Sequence, residues 1–321
     1  MSTTLPVNTQ FRDPFVQSGY VEKLTQAIDR FNGQSAGTIA LKTVRKIGDF
    51  SYDAFFKNGG SLVSRQDQYI QAPVASTILT QAQIASVKLN RKIGPIEWAR
   101  SAFLKPGLDM NVFKMTAGEQ AAASVLADML NTGLAAGRTA LSNQTLNTVD
   151  LSTVTLNTAG LNTGMSKFGD QAARINAFVM HSKTYYDLVA HQIAPANNGS
   201  DLAGIVVAAG SPVSFGRPII VTDSDALFDG VNYFTLGLTA DAIVVEETED
   251  MYVAMQEVTG LEQLAMRMQG EFAYNLGVKG FTWDVANGGK NPDAAAIAAA
   301  ANCDKVLLSH KDLAGFVIKS L

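Results

Sequence analysis

The chain has 321 residues, of which 47% are hydrophobic and only 17% are charged, with 25 basic and 29 acidic side chains and a formal net charge of −4. That balance excludes a disordered chain, which is charge-rich and apolar-poor, and it lacks the basic footprint of a protein that wraps nucleic acid. One cysteine, Cys303, rules out an intramolecular disulfide and a thiolate-rich zinc site, and three histidines leave little material for a His-based metal centre.

Residues 1–19 read as a polar arm with no basic, apolar leader pattern. Val21, Leu24, Ile28 and Phe31 follow on one helical face, with Asn32-Gly33 as the stop. A short amphipathic helix in a loose arm docks on its own core or on a second copy. Typical soluble chains carry about 25% charge, so the low charge here suggests that much of the surface meets protein. No apolar window is long enough to cross a bilayer, and no membrane association is expected.

Ile39 and Leu41 open a strand region. Between this strand and Val87 a long, polar, Gln-rich stretch reads as an extended two-stranded excursion, turning at Lys57-Asn58-Gly59-Gly60 between Phe55, Phe56 and Leu62, Val63. Val87, Leu89, Arg91 and Ile93 alternate with Lys88, Asn90 and Lys92 on its return. Gly94-Pro95 is expected to end the run, with helical character from Ile96 to Arg100. The longest helix is placed at about 112–138, opening on the capping-box pair Thr116 and Glu119. Val125, Leu126, Met129, Leu130 and Leu134 form its apolar face, and Gly133 and Gly137 weaken its far end.

The repeat TLNTVDLSTV–TLNTAGLNTG over 145–164 reads as a hairpin or surface ribbon, or as a plain Thr/Asn-rich loop. From about residue 170 the pattern is α/β. Short strands are expected at Ile175–Met180, Ile205–Val207, Pro218–Val221 and Ala242–Val245, with Ser182 capping a helix after the first. Longer strands follow over 251–285, then an Ala-rich helix after Pro292 and a last strand at Val306–Leu308.

The search for chemistry is negative. Gly288-Gly289-Lys290 lacks the spacing of a phosphate loop, and no HExxH or Gly-x-Ser-x-Gly element occurs. His181 and His191 sit at element ends, where structural histidines are common. Asp223-Ser224-Asp225 with Asp229-Gly230 reads as an Asx-rich turn, because Leu227 stands where a calcium loop needs an oxygen. The run Glu246–Asp250 reads as a solvated face. The basic residues Arg45, Lys46 and Lys88 to Lys92 are either the polar face of a strand or an ion-pair surface for a neighbouring subunit. No catalytic residue, metal ligand or cofactor is expected. The candidates for contact between subunits are Val21, Leu24, Ile28, Phe31, Phe55, Phe56, Lys57, Lys88 and Lys92.

The order of parts resembles the major capsid protein of tailed bacteriophages, with its HK-ninety-seven-like α+β fold. Local likenesses are Phe215-Gly216-Arg217-Pro218-Ile219-Ile220-Val221-Thr222-Asp223-Ser224, Tyr233–Leu238, Gly277–Trp283, Asn291-Pro292, and Asn302-Cys303-Asp304-Lys305-Val306, where Cys303 takes the place of a usual Trp. The resemblance implies an N-terminal arm (1–37), a peripheral domain with a spine helix (38–45 and 94–166), an extended loop lying on a neighbour (46–93) and an axial domain (167–255). Long peripheral strands (256–290) and a C-terminal segment returning to the axial domain (291–321) complete it. It further implies hexamers and pentamers closing an icosahedral head around double-stranded DNA, a separate scaffolding protein, a portal protein at one vertex, and location in the virion. Lys57 is a loop lysine, but no partner for a covalent crosslink can be matched to it. The competing expectations are an encapsulin-like compartment with the same fold and a soluble α/β enzyme binding substrate near 175–245.

Overall fold

A computed structural model describes residues 14–44, 46, 48–57, 80–99, 101, 110–193, 214–259 and 264–321, with 63, 65, 66, 68–71, 73, 76, 78 and 262 between them. The expected turn at 58–60, Leu62, Arg45, the strand at 205–207 and arm residues 1–13 lie outside the described residues. Among the described residues, four helices are nine residues or longer: α1 (Pro14–Gln34), α2 (Met110–Ser142), α3 (Thr158–Ser166) and α4 (Ser182–Ile193). The strands are β1 (Ile39–Thr43), β2 (Phe50–Phe56), β3 (Gln81–Ala99), β4 (Thr148–Leu151), β5 (Ile175–Met180), β6 (Ile219–Val221), β7 (Tyr233–Thr239), β8 (Ile243–Val258), β9 (Ala265–Val278), β10 (Phe281–Trp283), β11 (Cys303–Lys305) and β12 (Gly315–Ser320).

The first sheet runs β1-β8-β9-β3-β2, antiparallel except for the parallel β1–β8 pair. On β9, Phe272, Tyr274, Leu276 and Val278 alternate onto the core face, where Val125, Met129 and Leu134 of α2 meet them. A Cβ on Gly133 or Gly137 would run into the side chain of Ile243, which is fully buried on β8. These two glycines therefore let α2 approach the sheet rather than weaken the helix end. Helix α2 also starts earlier than its capping-box pair, at Met110. No Gly or Pro interrupts Met110 to Met115, so Thr116 and Glu119 fall inside a continuous helix.

Strand β3 passes through the expected break. The cis Gly94-Pro95 bond sits at a bulge, after which Ile96 pairs with Met268 and Trp98 with Met266 of β9. Over 96–99 the expected helix is therefore a strand, because β9 supplies a ladder for residues that have no partner when read alone, and Arg100 lies outside the described residues.

The second sheet runs β4-β12-β7-β5-β6. Its inner strand β12 is buried on both faces: Val317 points into the core shared with α2, while Phe316 and Ile318 join Phe168, Phe178, Leu161 and Leu188 in a separate cluster under α3 and α4. The last strand was expected at Val306–Leu308, which has no strand structure. Both runs are short and apolar, and only Gly315–Ser320 reaches a slot between β4 and β7. The Ala-rich helix after Pro292 is five residues, Ala294–Ala298, capped by Asp293.

The ten-residue repeat does not form a hairpin. Its first copy is a 3-10 turn followed by β4; its second is α3. The same Asn does different work in each. Asn147 reaches across to donate to the carbonyls of His310 and Gly315, the latter at 2.5 Å, while Asn157 accepts from Gly160 N–H at 2.7 Å and caps α3. Likewise His181, not Ser182, caps α4: its Nδ1 accepts from Lys183 N–H at 3.2 Å.

Candidate assembly surface

The β2–β3 hairpin pairs Phe50–Phe56 with Val87–Gln81. Strand β9 joins β3 only from Val87 onward, so among the described residues Gln81–Ser86 have only β2 as a ladder partner. The root is fixed. Val87 and Leu89 are buried, Thr282 Oγ1 accepts from Ala85 N–H at 2.8 Å, and Asn291 Oδ1 accepts from Asn90 N–H at 2.8 Å. Beyond the root the apolar side chains face solvent: Tyr52 is 56% exposed, Phe56 70%, Val63 87%, Tyr69 96%, Ile70 65% and Ile78 78%. An isolated hairpin carrying such a load is a pairing hazard unless another chain covers it. Of these, Tyr52, Tyr69, Ile70 and Ile78 went unnoticed in the sequence because Gln, Ser and Asp surround them; the usable signal is large apolar residues within a stretch too polar to form a core.

Charge at the hairpin root is settled within the chain. Lys46 Nζ lies 2.5 Å from Glu246 Oε2, and Lys88 Nζ 2.5 Å from Glu249 Oε1. Asn275, between them on β9, donates from Nδ2 to Glu246 at 3.2 Å. The acidic run is thus part of β8 rather than a solvated face, with Glu247 and Thr248 buried. Sequence reading could not show that β8 and β3 flank the same strand, which is what brings the two charge runs together. Lys92 is exposed, in register with Glu271. Contacts of this exposed kind contribute only about 0.2–1 kcal/mol each.

Beneath them, Tyr274 OH donates to Asp128 Oδ2 at 2.7 Å, Arg91 Nε lies 3.1 Å from the same oxygen, and Thr132 Oγ1 is 3.1 Å from the phenol. Burial, then the Asp128 charge, pushes the Tyr274 pKa up. Its folded value lies above the unfolded value of about 10, so the folded state holds this proton longer. The associated stability is present below about pH 10 and is lost as pH rises toward the folded value. In denaturant melts across that range, wild type should lose stability more steeply than Tyr274→Phe; parallel pH profiles would refute the assignment.

The other expected contact residues divide. Leu24 is buried in the chain's own core, Ile28 and Phe31 pack against that core, and Val21 is half exposed. Phe55 and Lys57 are partly covered and line a cavity of about 210 Å³ with Val306, Leu307 and Leu308. The histidines are structural: the His181 ring is 4.9 Å from that of Tyr233, and His191 Nε2 is 2.7 Å from Thr155 Oγ1. Asp229 Oδ1 accepts from the N–H groups of Val231 and Asn232, an Asx turn. Among the described residues no three His, Cys, Asp or Glu side chains converge as metal ligands.

The Phe215-Gly216-Arg217 element has a clear mechanical role. Phe215 and Gly216 take positive φ values of 54° and 74°, turning Arg217 back toward β5. Its guanidinium donates to the carbonyl of Ile175, to that of Ala172 at 2.8 Å, and contacts Met165 Sδ at 3.3 Å. Burial lowers the Arg217 pKa. One side chain thus joins the approach to β6 to the consecutive stretch from the end of α3 to the start of β5.

The family described as "Major capsid protein 13-like" matches residues 8–317. Among solved structures, the chain is similar to the capsid of Ralstonia phage GP4, at 11% identity over 90% of each chain with a TM-score of 0.53. It is also similar to the cyanophage Pam1 capsid, at 10% identity over 87% of this chain and 91% of that one, with a TM-score of 0.49. No curated protein sequence matches. The first structural likeness gives the fold, a mixed α+β architecture of the HK-ninety-seven-like kind, and the family match removes the enzyme reading. The chain belongs to the major capsid protein 13-like family and is a structural protein of the phage capsid.

Proposed function

We propose that this chain builds hexamers and pentamers that close an icosahedral head, with the β2–β3 hairpin of each subunit lying on its neighbour. The exposed apolar side chains of that hairpin carry the reading: Phe56, Ile70 and Ile78 stand largely open to solvent among the described residues. Val21 on α1 and the exposed Lys92 are further contact points. Leu24, Ile28, Phe31 and Lys88 act indirectly, by holding α1 and the hairpin root in position. Phe55 and Lys57 set the hairpin's direction above Leu307.

The second sheet with its helices is the axial unit, and the first sheet with α2 is the peripheral unit. Strand β8 pairs with β1 and β9 from Ile243 onward, which supports ending the axial unit between Thr239 and Ile243 rather than at 255. The return of β12 to β4 and β7 supports a C-terminal segment belonging to the axial unit. A separate scaffolding protein, a portal at one vertex and packaged double-stranded DNA are the partners. Modest interfaces repeated around each subunit become strong together.

The test is expression alone and together with a scaffolding protein from the same phage, read by negative-stain microscopy and sedimentation. Closed shells with fivefold and sixfold capsomers are expected. A protein that stays monomeric at high concentration with scaffold supplied would overturn the reading.

A further inference from the structure

Among the described residues, strand β1 is an edge of the first sheet, bonded on one side only, to β8. In a parallel pair alternate residues bond toward the partner. Thr38 O accepts from Ala242 N–H and Val44 N–H donates to Glu247 O, so the even-numbered positions face β8 and the groups of Ile39, Leu41 and Thr43 point away. Open edges of this kind recruit strands from other chains.

Helix α1 occupies this edge with side chains. Asn32 Nδ2 donates to Leu41 O at 2.8 Å, and Asn32 Oδ1 accepts from Leu41 N–H at 3.0 Å. That pair reproduces, with one amide, both bonds that an antiparallel strand would offer Leu41. Ser35, buried, places Oγ 3.2 Å from Ile39 O, and Thr38 Oγ1 donates to Ser35 O at 2.7 Å to fix the turn. Asn32 and Gly33, read from sequence as a helix stop, do not stop the helix, which continues to Gln34. The Asn instead faces the strand.

We propose that the end of α1 is an autoinhibitory guard on β1, and that moving Asn32 off Leu41 opens the edge to the same edge of a second copy. The occupant follows from symmetry. An antiparallel β1–β1 pair centred on Leu41 is isologous, so one release event on each copy creates both halves of the contact, and capsid subunits meet one another at high local concentration. The guard thus keeps subunits from pairing through the wrong surface while the correct contacts form. It does not depend on the hairpin reading.

The experiment is site-resolved hydrogen exchange with sedimentation equilibrium on the full chain, at concentrations where wild type sediments as a single subunit. In Asn32→Leu, similar in size but without hydrogen bonds, Leu41 amide exchange should rise about tenfold or more. At higher concentration the variant should dimerise and regain Leu41 protection. Asn32→Asp should lose part of the protection, because a carboxylate accepts from Leu41 N–H but cannot donate to Leu41 O. Should leucine prevent folding, Asn32→Ser gives the same readout without added apolar volume. Unchanged Leu41 exchange, no dimer, or a dimer that leaves the Leu41 amide exchanging freely would each overturn the proposal.

Discussion

Phe316→Ala should destabilise the folded subunit by about 3–5 kcal/mol, the cost of emptying a large, fully packed aromatic site. Phe316 is completely buried on β12 and is an aromatic neighbour of both Phe168 and Phe178, with ring centroids 6.2 and 6.3 Å away. Gly164 on α3 and Gly237 on β7 face its ring from two sides, and a Cβ on either would strike it. The cavity left by alanine cannot close easily, because its walls are backbone at two glycines. Gly237→Ala should also destabilise, by about 1–3 kcal/mol, through overpacking. The two changes share one space, so the cost of Gly237→Ala should shrink markedly in a Phe316→Leu background. Denaturant melts of the unassembled subunit give these values. Additive costs would show that the ring and the glycines do not share the site.

The triple variant Phe56→Ser, Ile70→Ser, Ile78→Ser should behave in the opposite way. The subunit's melting temperature should stay within about 2 °C of wild type, since exposed substitutions are usually worth less than about 0.5 kcal/mol each. Assembly should fail. Burying such a side chain fully contributes about 1.5–3 kcal/mol, so losing even 3 kcal/mol per hairpin weakens each contact about a hundredfold. A closed shell repeats that contact in every subunit, which turns a graded loss into the absence of particles. Sedimentation velocity and microscopy would read particles, and circular dichroism would read the melt. Particles at wild-type yield would sink the hairpin as the intersubunit contact.

These two variants separate folding from assembly, a distinction only partly legible in the sequence. Periodicity found β1, the long helix, the Ile175–Met180 strand and the long strands after 250, because each carries its own apolar face. It missed β12 and misread Ile96–Ala99. Neither segment differs locally from its surroundings enough to choose, and each takes strand form because a partner strand is present. The repeat at 145–164 makes the same point: two decapeptides that both begin Thr-Leu-Asn-Thr become a strand and a helix, Asn147 meeting the carbonyls of His310 and Gly315 while Asn157 meets its own Gly160.

The candidate contact residues were legible in type and less so in place. Leu24, Ile28 and Phe31 share a helical face with Val21, yet that face packs on the chain's own core and leaves Val21 at its margin. Lys88 was read as facing either solvent or a neighbour; its acidic partner proved to be Glu249, 161 residues away on β8.

Composition set the protein's class: too apolar to be disordered, too poor in charge for an ordinary free surface, and with a single cysteine, too few for a disulfide or a thiolate-rich zinc site. Those properties depend on residue counts and spacings alone. Which apolar residues form the core and which remain outside was decided by the tertiary structure. Burial is a relation between segments far apart in the chain: Phe56 and Phe316 are the same residue type, one open to water on a hairpin and the other enclosed by Gly164 and Gly237.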